Sequence, residues 1–166
     1  MQNRQRAKSH KQPTTYSAFD TAIYYLTFRD RSRKELCDKL TEKGYEEAEI
    51  AEAVEKLMSY GYIDDERYAS SYIRNQMRAK GRRRITMELS GKGVDSEMTR
   101  ELCMELVPDE AETIYDLLER RYGNLDFSDE GQMRRMYSFF ARRGFCLLYT
   151  SPSPRDAHES RMPSSA

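Results

Sequence analysis

A helical segment closing on a basic residue, a glycine and an apolar residue recurs three times: ELCDKLTEKGY at 35–45, TMELSGKGV at 86–94 and MYSFFARRGF at 136–145. The glycines are Gly44, Gly93 and Gly144, about 50 residues apart. A period of that size marks stacked helical units, none of which buries its own apolar face alone. Flanking apolar positions correspond as well. The chain is therefore expected to offer an elongated binding surface rather than a compact body around a pocket.

Helix signals run almost continuously between these landmarks. Ser17 with Asp20 resembles a capping box around Phe19, ahead of Ile23, Tyr25 and Leu26. Ser32-Arg-Lys-Glu35 is a full capping box that opens a helix through Leu36 and Leu40. Lys43-Gly44 closes it, because a cation suits the carbonyl end and glycine accepts a left-handed backbone. Ile50, Ala53, Val54, Leu57 and Met58 then form a helical apolar stripe that stops at Gly61. A second unit opens at Asp64-Asp65, with Asp64 as the expected cap and Asp65 as its substitute. It carries Ala69, Tyr72, Ile73 and Met77, breaks at Gly81, resumes through Ile85 and Leu89 to Lys92-Gly93, and ends in an Asp95-capped helix with Met98, Leu102 and Leu106. Pro108-Asp109 starts a third unit with Ile114, Leu117, Leu118 and Tyr122, and Ser128-Asp129-Glu130 caps a last helix bearing Met133, Met136, Phe139 and Phe140.

Strand alternation is nowhere sustained, so the fold class is all-α: tandem three-helix, helix-turn-helix-like repeats with the third truncated. The boundaries follow the signals. Residues 1–14 form a disordered basic arm (Arg4, Arg6, Lys8, Lys11), 15–62 the first repeat, 63–107 the second, 108–145 a partial repeat of two helices, and 146–166 a disordered tail rich in Ser and Pro. The apolar face of Met133, Met136, Phe139, Phe140 and Phe145 is expected to lack a covering helix.

Charge is segregated rather than biased, since 28 basic residues balance 28 acidic ones. The densest cationic stretch holds Arg74, Arg78, Lys80, Arg82, Arg83, Arg84 and Lys92 against the single acid Glu88. Arginine forks suit phosphates and carboxylates alike, which makes this stretch the main contact candidate. Arg134, Arg135, Arg142 and Arg143 form a second, weaker one. The helices that follow the glycine turns, at 46–58 and 95–106, are strongly acidic. In a helix-turn-helix transcription factor such helices enter the major groove, but phosphate repels these, so sequence-specific reading of DNA is not expected. The tyrosines at 24, 25, 60, 62, 68 and 72 are assigned to inter-repeat packing with hydroxyls at the rim.

Catalysis finds no support. His10 and His158, the only histidines, lie in the two terminal segments without fixed partners. Phosphate-loop motifs are absent, and the widely spaced Cys37, Cys103 and Cys146 fit neither a disulfide framework nor a zinc site and point to a reducing cytoplasm. No catalytic residue, metal or cofactor is expected, and no apolar run approaches the length of a membrane span.

The stretches AIYYLTFRDRSRKELCDKLTEKGY (22–45), GYIDDERYASSYI (61–73) and GRRRITMELSGKGV (81–94) resemble the RecX family, bacterial regulators of the RecA recombinase, in order and spacing as well as composition. ERRYG (119–123) through ARRGF (141–145) matches more loosely, and the resemblance covers about residues 18–145. It implies a curved, modular array that binds along the groove of the RecA–DNA filament. It further implies inhibition of strand exchange, ATP hydrolysis and co-protease activity, and no catalysis of its own. The family continues after its RRGF-like element into a final helix. Here TSPSPRD (150–156) and SRMPSSA (160–166) resemble translated adapter or vector sequence, so native sequence is expected to end near Phe145 or Cys146. The expected function is a cytoplasmic, monomeric regulator of RecA in DNA repair, recombination and the SOS response. Single- or double-stranded DNA is a secondary contact without sequence preference. The alternatives are a small non-enzymatic DNA-binding protein and a generic helical protein–protein adaptor.

Overall fold

A computed structural model describes residues 16–107, 109–124, 126 and 128–145. The basic arm, the tail, both histidines and Cys146 lie outside the described residues. Eight helices occur among those described: α1 (Ala18–Leu26), α2 (Arg33–Lys43), α3 (Glu47–Ser59), α4 (Asp65–Gln76), α5 (Arg82–Gly91), α6 (Ser96–Leu106), α7 (Ala111–Tyr122) and α8 (Glu130–Arg142). The fold is all-α, built of tandem three-helix units. In the first unit α3 packs on α1 and α2, and in the second α6 packs on α4 and α5.

Each unit has its own core. Leu36, Leu40, Val54 and Leu57 fill the first, Ile73, Ile85, Leu89 and Cys103 the second, and Ile114, Met136, Phe139, Phe140 and Phe145 the third. The helical stripes thus face inward with one departure. Met58 ends the α3 stripe but is 46% exposed, because it sits on the rim of an opening between α2 and α3 that Arg33, Cys37 and Val54 also line. The face of Met136, Phe139, Phe140 and Phe145 is not open as expected: all four are buried. Leu117, Leu118 and Tyr122 of α7 pack against it, and the guanidinium groups of Arg121 and Arg143 stand 4.8 and 4.3 Å from the Phe139 ring centroid.

The caps fall where the polar residues put them. Ser17, Asp64, Asp95 and Asp129 accept hydrogen bonds from amides of the first turns of α1, α4, α6 and α8, and Ser32 with Glu35 forms the capping box of α2. Asp64 takes the Arg67 amide at 2.9 Å. Asp64→Ala is expected to cost about 0.5–2 kcal/mol, read as faster amide exchange across residues 65–69 with little change elsewhere. Asp65 is no substitute for this cap. Its carboxylate accepts the Arg33 amide at 2.8 Å, at the start of α2 in the preceding unit.

That bond belongs to a joint used twice. At the start of α2, Ser32 Oγ donates to the Lys92 carbonyl at 2.6 Å, and Asp65 takes the amide of Arg33, the first helical residue. At the start of α5, the Gly81 amide donates to the Arg143 carbonyl at 2.9 Å, and Glu110 takes the amide of Arg82, again the first helical residue. The Lys92-Gly93 and Arg143-Gly144 turns therefore each dock on the N-terminus of the second helix one unit back, and an acid from the same later unit caps that helix. The repeated glycines all have positive φ, and a Cβ on Gly144, at 81°, would meet the Arg84 backbone.

Candidate anion-binding groove between the second and third units

The second joint creates a groove. The turn after α8 lies against the first turn of α5, and the opening between them is lined by Lys80, Arg83, Arg84, Met87, Glu88, Arg142 and Arg143. Two basic groups that are separate in the sequence thus share one wall and floor. Five cations face a single carboxylate there, and Met87 adds an exposed apolar edge.

The cations are not equivalent. Glu88 binds Lys80 Nζ at 2.7 Å and Arg84 Nε at 2.7 Å, and accepts the Tyr72 hydroxyl at 2.6 Å. Arg143 donates to the Ala79 carbonyl at 2.9 Å and lies on the Phe139 ring, so it serves the joint as well as the groove. Arg83 and Arg142 are exposed and enter no ion pair among the described residues. They are the cations most open to an incoming anion.

The remaining candidates are distributed around this centre. Arg82 pairs with Glu110 at 3.8 Å. Arg74, Arg78, Arg134 and Arg135 are exposed on α4, the turn after it, and α8, but do not line the groove. Lys92 is turned the other way, into the first joint. Its ammonium meets Glu35 at 2.7 Å and stands 5.9 and 5.7 Å from the centroids of Tyr68 and Tyr72. The hydrogen bond from Lys92 helps hold the Glu35 carboxyl below its ordinary range despite burial, and the same bond raises the Lys92 pKa.

Tyr68 does pack between units, with its hydroxyl on Glu35 at 3.2 Å; Tyr72 stacks on it at 6.4 Å but otherwise meets Glu88 and Lys92 of its own unit. Tyr24, Tyr60 and Tyr62 do not pack between units. They are exposed, and their ring contacts are with Tyr25, Phe28, Phe19 and each other, all within the first unit. Tyr24 lies off the inward stripe of α1, and Tyr60 and Tyr62 follow the end of α3. Cys37 and Cys103 are free thiols whose pKa values burial pushes up, which suits structural rather than reactive roles.

Glu88 is visible in the sequence only as the lone acid of a basic run. The Arg84–Glu88 spacing of four is a helix pair that sequence can flag, whereas Lys80 and Tyr72 reach Glu88 only through the fold. Burial raises the Glu88 pKa, but hydrogen bonds from Lys80, Tyr72 and Arg84 outweigh it and hold the carboxyl at about 2, against an ordinary value of 4.5. A depressed folded-state pKa stabilises the fold above the unfolded value, and that contribution is lost as pH falls through the folded one. Glu88→Gln is therefore expected to flatten the acid limb of thermal stability between about pH 4.5 and 2, relative to the parent chain.

The acidic helices point outward. Glu47, Glu49, Glu52 and Glu55 on α3, and Glu97, Glu101 and Glu105 on α6, are exposed. Those faces repel phosphate, which leaves the groove as the candidate anion site among the described residues.

Two family models match the chain: "RecX, first three-helix domain" over residues 18–57 and "RecX, second three-helix domain" over residues 64–101. The protein named "Regulatory protein RecX" of Vibrio vulnificus is 34% identical over 134 residues, covering 80% of this chain and 88% of the relative. The one of Clostridium perfringens is 33% identical over 119 residues, and there the match takes in 69% of this chain but 56% of the relative's length. A crystal structure of RecX from Lactobacillus salivarius superposes with a TM-score of 0.66 at 28% identity, covering 78% of this chain and 86% of that one.

Proposed function

This chain belongs to the RecX family, and we propose that it regulates the RecA recombinase by binding the RecA–DNA filament, with the groove between its second and third units resting on DNA phosphate. The role is that of an inhibitor or modulator in DNA repair, recombination and the SOS response. It is carried out in the cytoplasm by a monomer without cofactor or catalysis. The observation that carries this reading is the pairing of a five-cation groove on one side with acid-studded α3 and α6 elsewhere. Such a distribution orients the chain on a polyanion without reading its sequence, since phosphate contacts position and base contacts specify.

RecA-dependent ATP hydrolysis on single-stranded DNA tests the proposal. The filament reading expects hydrolysis to fall at amounts of this protein far below those that coat the DNA. The alternative, a DNA-binding protein indifferent to RecA, draws on the same groove and expects loss only when DNA is coated. Within the groove, Arg83→Ala with Arg142→Ala is expected to weaken DNA association. On single strands the log–log salt slope should fall by about 0.7 for each phosphate no longer neutralised. Helicity should be unchanged, because neither side chain is tied to the core. Arg82 and Arg84 are poorer probes, because each also holds a carboxylate in place. An unaltered affinity and slope in the double variant would count against the groove.

A further inference from the structure

We propose that Glu88 is a built-in competitor: its carboxylate occupies the seat in the groove that a DNA phosphate would take, and so limits how strongly the chain holds DNA. The inference rests on the reading of the groove given above and adds a regulating residue to it.

The geometry is that of a filled anion site. The carboxylate presents one oxygen to Arg84 Nε at 2.7 Å and the other to Lys80 Nζ at 2.7 Å. Two oxygens bridging a guanidinium and an ammonium is also the arrangement a phosphodiester offers. Glu88 is the one acid on the groove lining, and its side chain is 17% exposed, against 28% for Lys80 and 42% for Arg84. It lies beneath them, and they remain reachable from outside.

Glu88 is also held in place from behind. The Tyr72 hydroxyl donates to the same oxygen that receives Lys80. Tyr72 stacks on Tyr68, whose hydroxyl reaches Glu35 in the first joint. The competitor is thus anchored to the packing between units. The trio of Lys80, Arg84 and Glu88 offers one net positive charge in place of two. A phosphate arriving at exposed Arg83 and Arg142 meets an inner pair of cations already satisfied.

Removing the charge should open the seat. Glu88→Gln keeps the shape and can still accept from Tyr72, but it no longer neutralises Lys80 and Arg84. Affinity for a labelled oligothymidylate, measured on the full chain across a salt series, is expected to rise. Two further phosphate contacts steepen the log–log salt slope by about 1.4 on single strands. Glu88→Ala is expected to change affinity in the same direction, which keeps the test open should the Gln variant fold poorly. Tyr72→Phe loosens the same tie without altering charge and is expected to bind as the parent does. A gain reproduced by Tyr72→Phe would overturn the proposal, because looser packing would then explain it. So would a Glu88→Gln chain that folds and binds no more tightly than the parent.

The two readings fail separately. If the variant lacking Arg83 and Arg142 binds the oligonucleotide as the parent does, the groove itself is not a DNA site. If that variant loses binding while Glu88→Gln and Glu88→Ala match the parent, the groove stands and the competitor does not. If Glu88→Gln gains affinity for polyglutamate but not for oligothymidylate, the seat takes a protein carboxylate, which overturns its assignment to phosphate.

Discussion

Gly144→Ala is expected to undock the third unit from the second. A Cβ at Gly144 would stand 2.5 Å from the backbone nitrogen of Arg84 and 2.5 Å from its Cβ. Backbone cannot rotate aside as the tip of a long side chain can, so the joint must open. The φ of 81° adds a left-handed penalty that only glycine escapes. Together these amount to about 2–5 kcal/mol. Gly81→Ala meets the same joint from the other side, since its Cβ would run into the Gly144 carbonyl, and it has ordinary φ and so isolates the steric part. The expected result is a lower melting temperature for both, larger for Gly144→Ala, with rapid amide exchange at Gly81 once its bond to the Arg143 carbonyl is broken. Parent-like exchange of the residue-81 amide in either variant would show that the turn docks elsewhere.

Phe140→Ala is expected to melt the third unit while leaving the first two intact. Phe140 is fully buried, with edge contacts to Phe139 and Phe145 at centroid distances of 5.2 and 5.7 Å. Truncation of such a ring costs about 3–5 kcal/mol. The third core is the smallest of the three and is built by two helices among the described residues, so it has little left to absorb that loss. Limited proteolysis reads the outcome: cleavage should appear after about residue 107 while 18–106 stays protected. Simultaneous loss of protection along the whole chain would mean that the units fold as one cooperative body.

How much of this is legible in the sequence depends on the range of each interaction. The capping residues are readable because a cap and its amide lie within three residues of one another, as Asp64 and Arg67 do. The inward stripes are readable from helical spacing. The paths of Asp65 and Lys92 are not. Both look like local features, a spare cap and part of a basic run, yet each acts on α2, in the unit before its own. Periodicity announces that the units stack but not which atoms meet. The groove shows the same limit. Arg83 and Arg142 each stand out in a basic cluster, but only the docking of the α8 turn on α5 makes them neighbours. The expected open face around Phe140 is buried against Leu117, Leu118 and Tyr122 of α7, with Arg121 and Arg143 over the Phe139 ring; the α7 stripe is readable from its spacing, the two guanidinium contacts are not.

The joint also bears on which changes of length this chain can accept. The two docking turns, Lys92-Gly93 and Arg143-Gly144, each reach their seat at the end of a helix, so their direction depends on helical phase. One residue inserted within α8 would swing Gly144 by about 100° and carry its carbonyl neighbour away from Gly81. Lengthening by a whole turn would bring it nearly back. The two docking helices differ by three residues, α5 having 10 and α8 having 13, about 60° short of one full turn. Changes of length are therefore expected to be tolerated best in steps near a whole turn within these helices, and without that constraint of phase in the connections between units.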